Sequence, residues 1–295
     1  MSTLIVGCGF LGRRVARILV DRGERVYGTT RSRDKFAELM RIGIEPILAD
    51  LVQESTLADL PAADRVLCSA GYDRSSRVPM RAVYIDGFRS LINQLHKNTK
   101  TIVYASSTGV YGQNDGSTVN EDSPTEPARE SGALCLEAEA IALNFGSQTN
   151  RRIVILRYAG LYGPGRIIRK ESLLRGEPIV GDPDRTLNVI HIDDAAAAAI
   201  AAFDSVAASG VYLACDDRPV LRFEYYELAA RLLGAPAPRF VAPDADSRES
   251  VREESNKRVS NRKLRNELMR ELKYPDIGVG LAAAIETEKM INIST

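Results

Sequence analysis

Thr3-Leu4-Ile5-Val6-Gly7-Cys8-Gly9-Phe10-Leu11-Gly12 is the stretch that decides the fold. Thr3–Val6 is a compact apolar run of strand type. Three glycines in GxGxxG spacing follow it at once. Phe10, Leu11, Val15, Ile18 and Leu19 then recur at helical spacing. Each glycine has a physical task in such a turn. Gly7 permits the tight bend, Gly9 lets a pyrophosphate approach the backbone, and Gly12 lets helix and strand pack closely. The helix N-terminus adds unpaired N–H groups and a partial positive charge for the phosphates, which brings Phe10 and Leu11 into the cofactor-binding set.

The rest of the first half continues the alternation. Arg25–Thr30, Glu45–Leu48, Arg65–Ala70, Thr101–Ser106 and Arg152–Tyr158 read as strands apolar on both faces. Helical patterns run to Arg41, across Arg81–Leu95 and over roughly Arg129–Gln148. Buried strands separated by helices predict a parallel sheet covered on both sides. The expectation is an α/β, Rossmann-type doubly wound parallel sheet with a smaller C-terminal mixed α/β substrate domain. The dinucleotide-binding domain spans 1–160 and is rejoined by 188–208. The regions 161–187 and 209–295 are expected to bind substrate. Ala195–Phe203, almost without side-chain bulk, predicts a helix in close packing, and Ser260 is the expected N-cap of a helix running to Leu272.

The end of the second strand discriminates between cofactors. An acid there would bind the ribose 2′-hydroxyl of NAD, and the chain reads Gly28-Thr29-Thr30-Arg31-Ser32-Arg33 instead. Thr30, Arg31 and Arg33 suit a 2′-phosphate, which favours NADP, with NAD as the alternative. Asp50 and Leu51, after the third strand, are placed to meet the adenine end. Ala70 and Tyr158, at the ends of later strands, complete the expected cofactor contacts.

Composition sets the outer bounds. The 295 residues are 44% hydrophobic and 26% charged, enough for a sizeable core, with 39 basic and 39 acidic side chains. A net charge of zero removes the electrostatic case for a nucleic-acid binder. No run reaches the ~18 apolar residues of a membrane span. The N-terminus reads as a first strand and not as a signal peptide. Cys8, Cys68, Cys135 and Cys215 stand apart, which argues against a disulfide framework or structural zinc and for a reduced, cytoplasmic chain. Two histidines, His96 and His191, give a metal centre little to build on. The charged run from Arg248 to Lys273 is either a solvated helix or a cationic wall for an anionic substrate.

Several motifs together resemble the extended short-chain dehydrogenase/reductase superfamily, of the NAD-dependent epimerase/dehydratase type. They are the glycine loop, Tyr104-Ala105-Ser106-Ser107-Thr108-Gly109-Val110-Tyr111-Gly112, the run from Leu156 to Gly165 (LRYAGLYGPG), and Asn188-Val189-Ile190-His191-Ile192-Asp193-Asp194. Lys257–Asn261 also looks like family members. The resemblance implies nucleotide sugars or related carbonyl and hydroxyl compounds as substrates. It also implies a catalytic triad of Ser/Thr, Tyr and Lys, and a homodimer packed through the helices at 81–95 and 129–148.

Two departures matter. The family's loop is GxxGxxG, and its first glycine would fall on Val6. Ser107 matches the Ser/Thr of the triad, but YxxxK is absent: aligned on Gly132 and Glu139, Ser131 stands for the tyrosine and Cys135 for the lysine. No tyrosine lies between Tyr111 and Tyr158 and no lysine between Lys100 and Lys170, so no shift of alignment restores the pair. A serine hydroxyl is far too weak an acid to replace a phenol lowered from its usual value of about 10.

Two readings stay open. One is an NADP(H)-dependent oxidoreductase or epimerase-like enzyme with a rearranged acid/base, built on Ser107 and Tyr111 as catalytic residues, with Tyr158 a further proton-donor candidate. The other is a non-catalytic NADP(H)-binding regulator or redox-sensing partner. Cys135 reads either as a nucleophile or as a small buried hydrophobe. His191 reads as a strand end, with Asp193 or Asp194 as the cap of the following helix, and Arg166, Arg169, Arg248 and Arg252 could face a substrate phosphate.

Overall fold

A computed structural model of the chain describes residues 1–242 and 255–293. The alternation read from the sequence becomes a seven-stranded sheet. Its strands are β1 (Ser2–Val6), β2 (Arg25–Thr30), β3 (Glu45–Leu48), β4 (Arg65–Cys68), β5 (Thr101–Ser107), β6 (Arg152–Tyr158) and β7 (Gly210–Ala214), in the spatial order 7-6-5-4-1-2-3. β1 pairs in parallel with β2 and β4, β2 with β3, and β4 with β5. The order reverses at β1, the switch point at which doubly wound sheets open a crevice beyond the strands' carboxyl ends.

The helices are α1 (Phe10–Asp21), α2 (Phe36–Arg41), α3 (Gly87–Gln94), α4 (Glu130–Thr149), α5 (Lys170–Leu174), α6 (Ile192–Asp204), α7 (Arg222–Leu233), α8 (Arg262–Glu267) and α9 (Ile277–Ile293). The chain enters α3 through a π-turn, Ala82–Asp86. Among the described residues no helix is long and apolar enough to cross a membrane.

The chain divides into two compact units. The first comprises 1–107, 130–157 and 196–212; the second comprises 108–129, 158–195 and 213–295. The core of the first joins Leu4 and Val6 of β1, Val66 and Cys68 of β4, Ile102 and Tyr104 of β5, Phe88 and Leu91 of α3, and Leu134 and Ala138 of α4. The second closes around Tyr162, Tyr225, Tyr226, Leu281 and Ile285.

Ala195, Ala196, Ala198, Ala199 and Ala202 of α6 are fully buried, which is the close packing their lack of bulk predicts. Arg152 satisfies the end of that helix, donating to the carbonyls of Ala202 (2.7 Å) and Phe203 (3.0 Å). One expected cap is different, and one of two cap candidates is engaged elsewhere. α8 ends at Glu267, and its N-cap is Asn261, not Ser260. Asp194 does not cap its own helix: its carboxylate accepts the backbone N–H groups of Lys273 and Tyr274, both at 2.8 Å. An acid at a helix start was thus used for a long-range tie.

Candidate functional site

The glycine loop connects β1 to α1 at the switch point, and its three glycines are needed for different reasons. Gly7 has φ +87°, and a Cβ there would lie 2.4 Å from Ala70 Cα. A Cβ on Gly12 would lie 2.5 Å from the Gly7 carbonyl oxygen and 2.9 Å from Ile5. Both are glycine because the protein's own backbone occupies the space. A Cβ on Gly9 would meet nothing within 4 Å, so the protein itself does not demand a glycine there. Gly9 is the N-cap of α1 and carries no side chain to occupy that helix's first N–H groups.

The loop is pinned from both sides. Gly7 N–H donates to Thr29 Oγ1 (3.0 Å), Ser69 Oγ donates to the Gly7 carbonyl (3.0 Å), and Arg13 Nε donates to the Cys8 carbonyl (3.1 Å). Arg13 is itself held by both carboxylate oxygens of Glu38. Burial pushes the Cys8 thiol up to about 11, so the loop cysteine stays protonated and inert.

A cleft of about 220 Å³ opens beside this loop, within the first unit. Of the residues singled out in the sequence, Gly7, Gly9, Thr30, Arg31, Asp50, Leu51 and Ala70 line it. Asp50 Oδ1 accepts the N–H of Val52 (3.1 Å), which fixes the turn after β3. Phe10, Leu11 and Gly12 do not line the cleft; Leu11 and Gly12 are buried in the first turn of α1. Arg33 points elsewhere, its guanidinium stacked 5.7 Å from the centre of the Phe36 ring. Tyr158 is buried and donates its hydroxyl to the Ala195 carbonyl (2.9 Å); burial raises its phenol far above the usual value.

The sequence reading missed Arg13, Lys35, Ser69 and Asp73, which also line the cleft. Lys35 stands on the short helical turn Arg33–Lys35, one turn beyond Arg31, and that spacing was a usable signal. Asp73 follows β4 in a stretch without periodicity, so nothing marked it.

Ser107, one of the two expected catalytic residues, lies further along the sheet edge. The parallel register sets Val6 beside Cys68 and Cys68 beside Tyr104, so Ser107, the last residue of β5, emerges on the same carboxyl edge as the glycine loop. Its neighbour Ser106 donates to the buried Glu139 of α4. Glu139 also holds Arg157 of β6 in a two-pronged ion pair, with 2.7 Å at its shortest. This buried clamp joins β5, α4 and β6.

Ser131, Cys135 and Glu139 follow each other at four-residue steps along α4, and so share a face. Cys135 is buried, with Tyr84 and Tyr104 in its electrostatic neighbourhood. All four cysteines are free thiols and buried.

Tyr111 belongs to the second unit. It is buried, and its hydroxyl donates to the Asn120 carbonyl at 2.8 Å. Its own carbonyl accepts a bond from Lys257 Nζ (2.8 Å), and Lys257 also donates to Ser255 Oγ (2.9 Å). Burial, aided by Arg129, pushes that ammonium down to about 8. The resemblance noted in the sequence covered Lys257 but did not mark it as a titrating group.

His191 is buried against Tyr274, with ring centres 3.8 Å apart, and its Nδ1 accepts the N–H of Asp193. Among the described residues no group of three or more His, Cys, Asp or Glu side chains is arranged to hold a metal ion. Arg166 and Arg169 line a separate cleft of about 590 Å³ in the second unit, with Lys170 and Glu288. Arg248 and Arg252 lie outside the described residues.

The chain is 30% identical to the protein YeeZ of Escherichia coli K12 over 278 residues, covering 92% of this chain and 96% of that one. A functionally unknown conserved protein from Silicibacter pomeroyi superposes with a TM-score of 0.76 at 28% identity, covering 98% of each chain. The UDP-glucose 4-epimerase of Thermotoga maritima, solved with UDP-glucose, shares the fold with a TM-score of 0.82 at 20% identity, over 99% of this chain and 100% of that one. The family model for the NAD dependent epimerase/dehydratase family matches residues 3–215, and the chain belongs to that family.

Proposed function

We propose that the chain is an NADP(H)-dependent oxidoreductase or epimerase/dehydratase-like enzyme acting on a small carbonyl or hydroxyl compound of nucleotide-sugar type. The observation that carries the reading is the cleft beside the glycine loop. Gly9 leaves open space at the start of α1, and Thr30, Arg31 and Lys35 stand together at the end of β2. The residues present fit a dinucleotide: the α1 N-terminus would take the pyrophosphate, Arg31 and Lys35 a 2′-phosphate, and Asp50 and Leu51 the adenine end. The nicotinamide, when bound, supplies the hydride chemistry.

Ser107 is the residue in this reading that hydrogen-bonds the substrate oxygen. The Ser106–Glu139–Arg157 clamp fixes the strand end from which it projects. Tyr111 is not a good proton donor, because its hydroxyl is already given to the Asn120 carbonyl. The acid/base is therefore not the family's pair. The regions 161–187 and 209–295 bind substrate in this reading, and Arg166 and Arg169 suit a phosphorylated substrate. The groove along α3 and α4, which includes Ile92, Ile141 and Phe145, suits packing of a second copy.

Equilibrium binding of NADPH, NADP⁺, NADH and NAD⁺ to the purified chain tests the cofactor part. Preference for the 2′-phosphorylated pair is expected, and binding of none would sink the reading. Ser107→Ala tests the rest. Turnover of a carbonyl substrate with NADPH should fall at least ~100-fold, as expected for a group in proton transfer, while NADPH affinity stays put.

One observation favours a second reading. Ser131 and Cys135 occupy the positions of the missing pair, and Cys135 is buried, which suits a chain that binds NADP(H) and does not turn over. Tight binding of NADPH with no turnover on a broad carbonyl panel, unaffected by Ser107→Ala, would select it.

A further inference from the structure

One ion pair spans the mouth of the cleft in the first unit, and its halves stand on different segments. Arg31 follows β2 directly, and Asp73 lies in the segment after β4. Arg31 Nη2 donates to Asp73 Oδ2 at 2.9 Å, and both residues line the cleft. The carboxylate is set by its own turn. Asp73 Oδ1 accepts from Ser75 N–H (3.0 Å) and Ser75 Oγ (2.6 Å), and the Asp73 carbonyl accepts from Ser76 N–H (3.0 Å). Those bonds, with Arg31, hold the carboxyl down to about 2, so Asp73 is charged at any ordinary pH.

The segment is also closed on itself. Tyr72 Oη donates to the Val78 carbonyl (2.8 Å), and Tyr72 N–H donates to Tyr84 Oη (3.3 Å). The Arg31–Asp73 pair thus ties a small formed loop to the end of β2.

We propose that Asp73 sets the choice between 2′-phosphorylated and plain dinucleotides by competing for Arg31, so that a 2′-phosphate unties the 71–78 segment and a 2′-hydroxyl leaves it tied. This rests on the dinucleotide reading of the cleft and deepens it. The competition follows from the chemistry of the two acceptors. The Arg31–Asp73 pair is single-pronged and more than a third exposed on both sides, the kind of pair that water and salt weaken. A phosphate dianion offers the guanidinium fork two parallel bonds and a larger charge. Lys35, on the same wall, adds a second cation to the phosphate's side of the balance. A 2′-hydroxyl needs neither cation and gives Arg31 no reason to leave Asp73. The carboxylate that the family's NAD users carry on β2 is absent here. This one stands across the cleft, already paired.

The full chain is titrated with NADPH and with NADH, as wild type and as Asp73→Asn, by nicotinamide fluorescence. Hydrogen exchange of peptides covering 71–78 is followed in parallel. Asparagine keeps a side-chain oxygen for Ser75, so the turn survives. Loss of an exposed pair predicts that NADPH binds roughly threefold to tenfold tighter to Asp73→Asn, while NADH moves by less than about twofold. In the wild type, NADPH should raise exchange in 71–78 relative to NADH, and the variant should show no such difference. An unchanged NADPH/NADH affinity ratio in the variant overturns the proposal. So does a weaker grip on NADH, which would make Asp73 a ribose ligand. A wild type that binds neither dinucleotide is a different failure: it removes the cofactor reading itself, and this proposal with it.

Discussion

The glycine loop and the start of α4 are both family landmarks in the first unit, and they have kept opposite things. The loop keeps its backbone. Gly7 and Gly12 are fixed by atoms 2.4–2.5 Å from where a Cβ would stand, whatever the chain does chemically. α4 carries the support, and Ser131 and Cys135 stand where the family resemblance puts a phenol and an ammonium. Glu139, one turn beyond Cys135, still clamps Ser106 and Arg157. The comparison teaches that a motif survives in two separable layers. One holds the strand ends in place, and the other holds the reagent. The first can outlive the second.

Gly12→Val attacks the supporting layer where it is stiffest. Its Cβ would meet a backbone carbonyl and Ile5, neither of which can swing away, so a loss of about 5 kcal/mol is expected. The check is the midpoint of urea unfolding, and a folded, near-wild-type variant would contradict the close packing of loop and helix.

Glu139→Gln comes next. Glutamine cannot neutralise the Arg157 guanidinium, which is buried, and breaking a buried pair from one side costs about 3–5 kcal/mol. The cost should appear in stability first. If Ser107 is held by this clamp, turnover should fall too, with no change in NADPH affinity. Equal stability of wild type and variant would mean that the clamp is not a support.

Gly9→Val sharpens the contrast inside the loop. Gly9 has φ −91°, outside the left-handed region reserved for glycine, and open space where the side chain would go. Stability should stay within about 1 kcal/mol. Dinucleotide affinity should fall roughly 100-fold, because the branched side chain would stand where a phosphate meets the α1 N-terminus. Gly9 and Gly12 look identical in sequence; only their effects on folding and binding should separate them.

The sheet was legible because its signal is physical repetition: buried β-branched runs alternating with amphipathic helices leave few topologies. Gly7, Thr30, Arg31, Asp50 and Ala70 line the cleft because each stands at or just beyond a strand end. Arg33 is absent from the cleft lining for a local reason. It is two residues from Arg31, yet the backbone has already turned into a short helix, and its guanidinium settles on Phe36. Lys35, one turn on, faces the cleft instead. Asp73 was invisible because a loop without period carries no direction in its sequence. Tyr111 looked catalytic by its place in a motif, and only the Asn120 carbonyl 2.8 Å from its hydroxyl shows where that hydroxyl goes. The use of Asp194 was hidden for a related reason: a helix-start acid is a sensible cap, and no local pattern announces that Lys273 and Tyr274 will claim it.

The mildest test falls on Cys135, at the position the resemblance gives to the lysine. A reactive thiol at the lysine position would have to reach solvent or a bound substrate. The side chain is 8% exposed, on the same face of α4 as Glu139, with the buried Tyr104 nearby. A thiol so placed behaves as a small hydrophobe. Cys135→Ala should therefore cost about 1 kcal/mol, the price of a small cavity. It should leave NADPH affinity and any turnover unchanged. Iodoacetamide labelling of the native chain should also be at least ~100-fold slower at this position than in urea, since local opening must precede reaction. Fast native labelling that NADPH blocks would reverse the argument. The reagent layer would then have been replaced, by a thiol, and the distinction between the loop and α4 would be one of chemistry exchanged and not of chemistry lost.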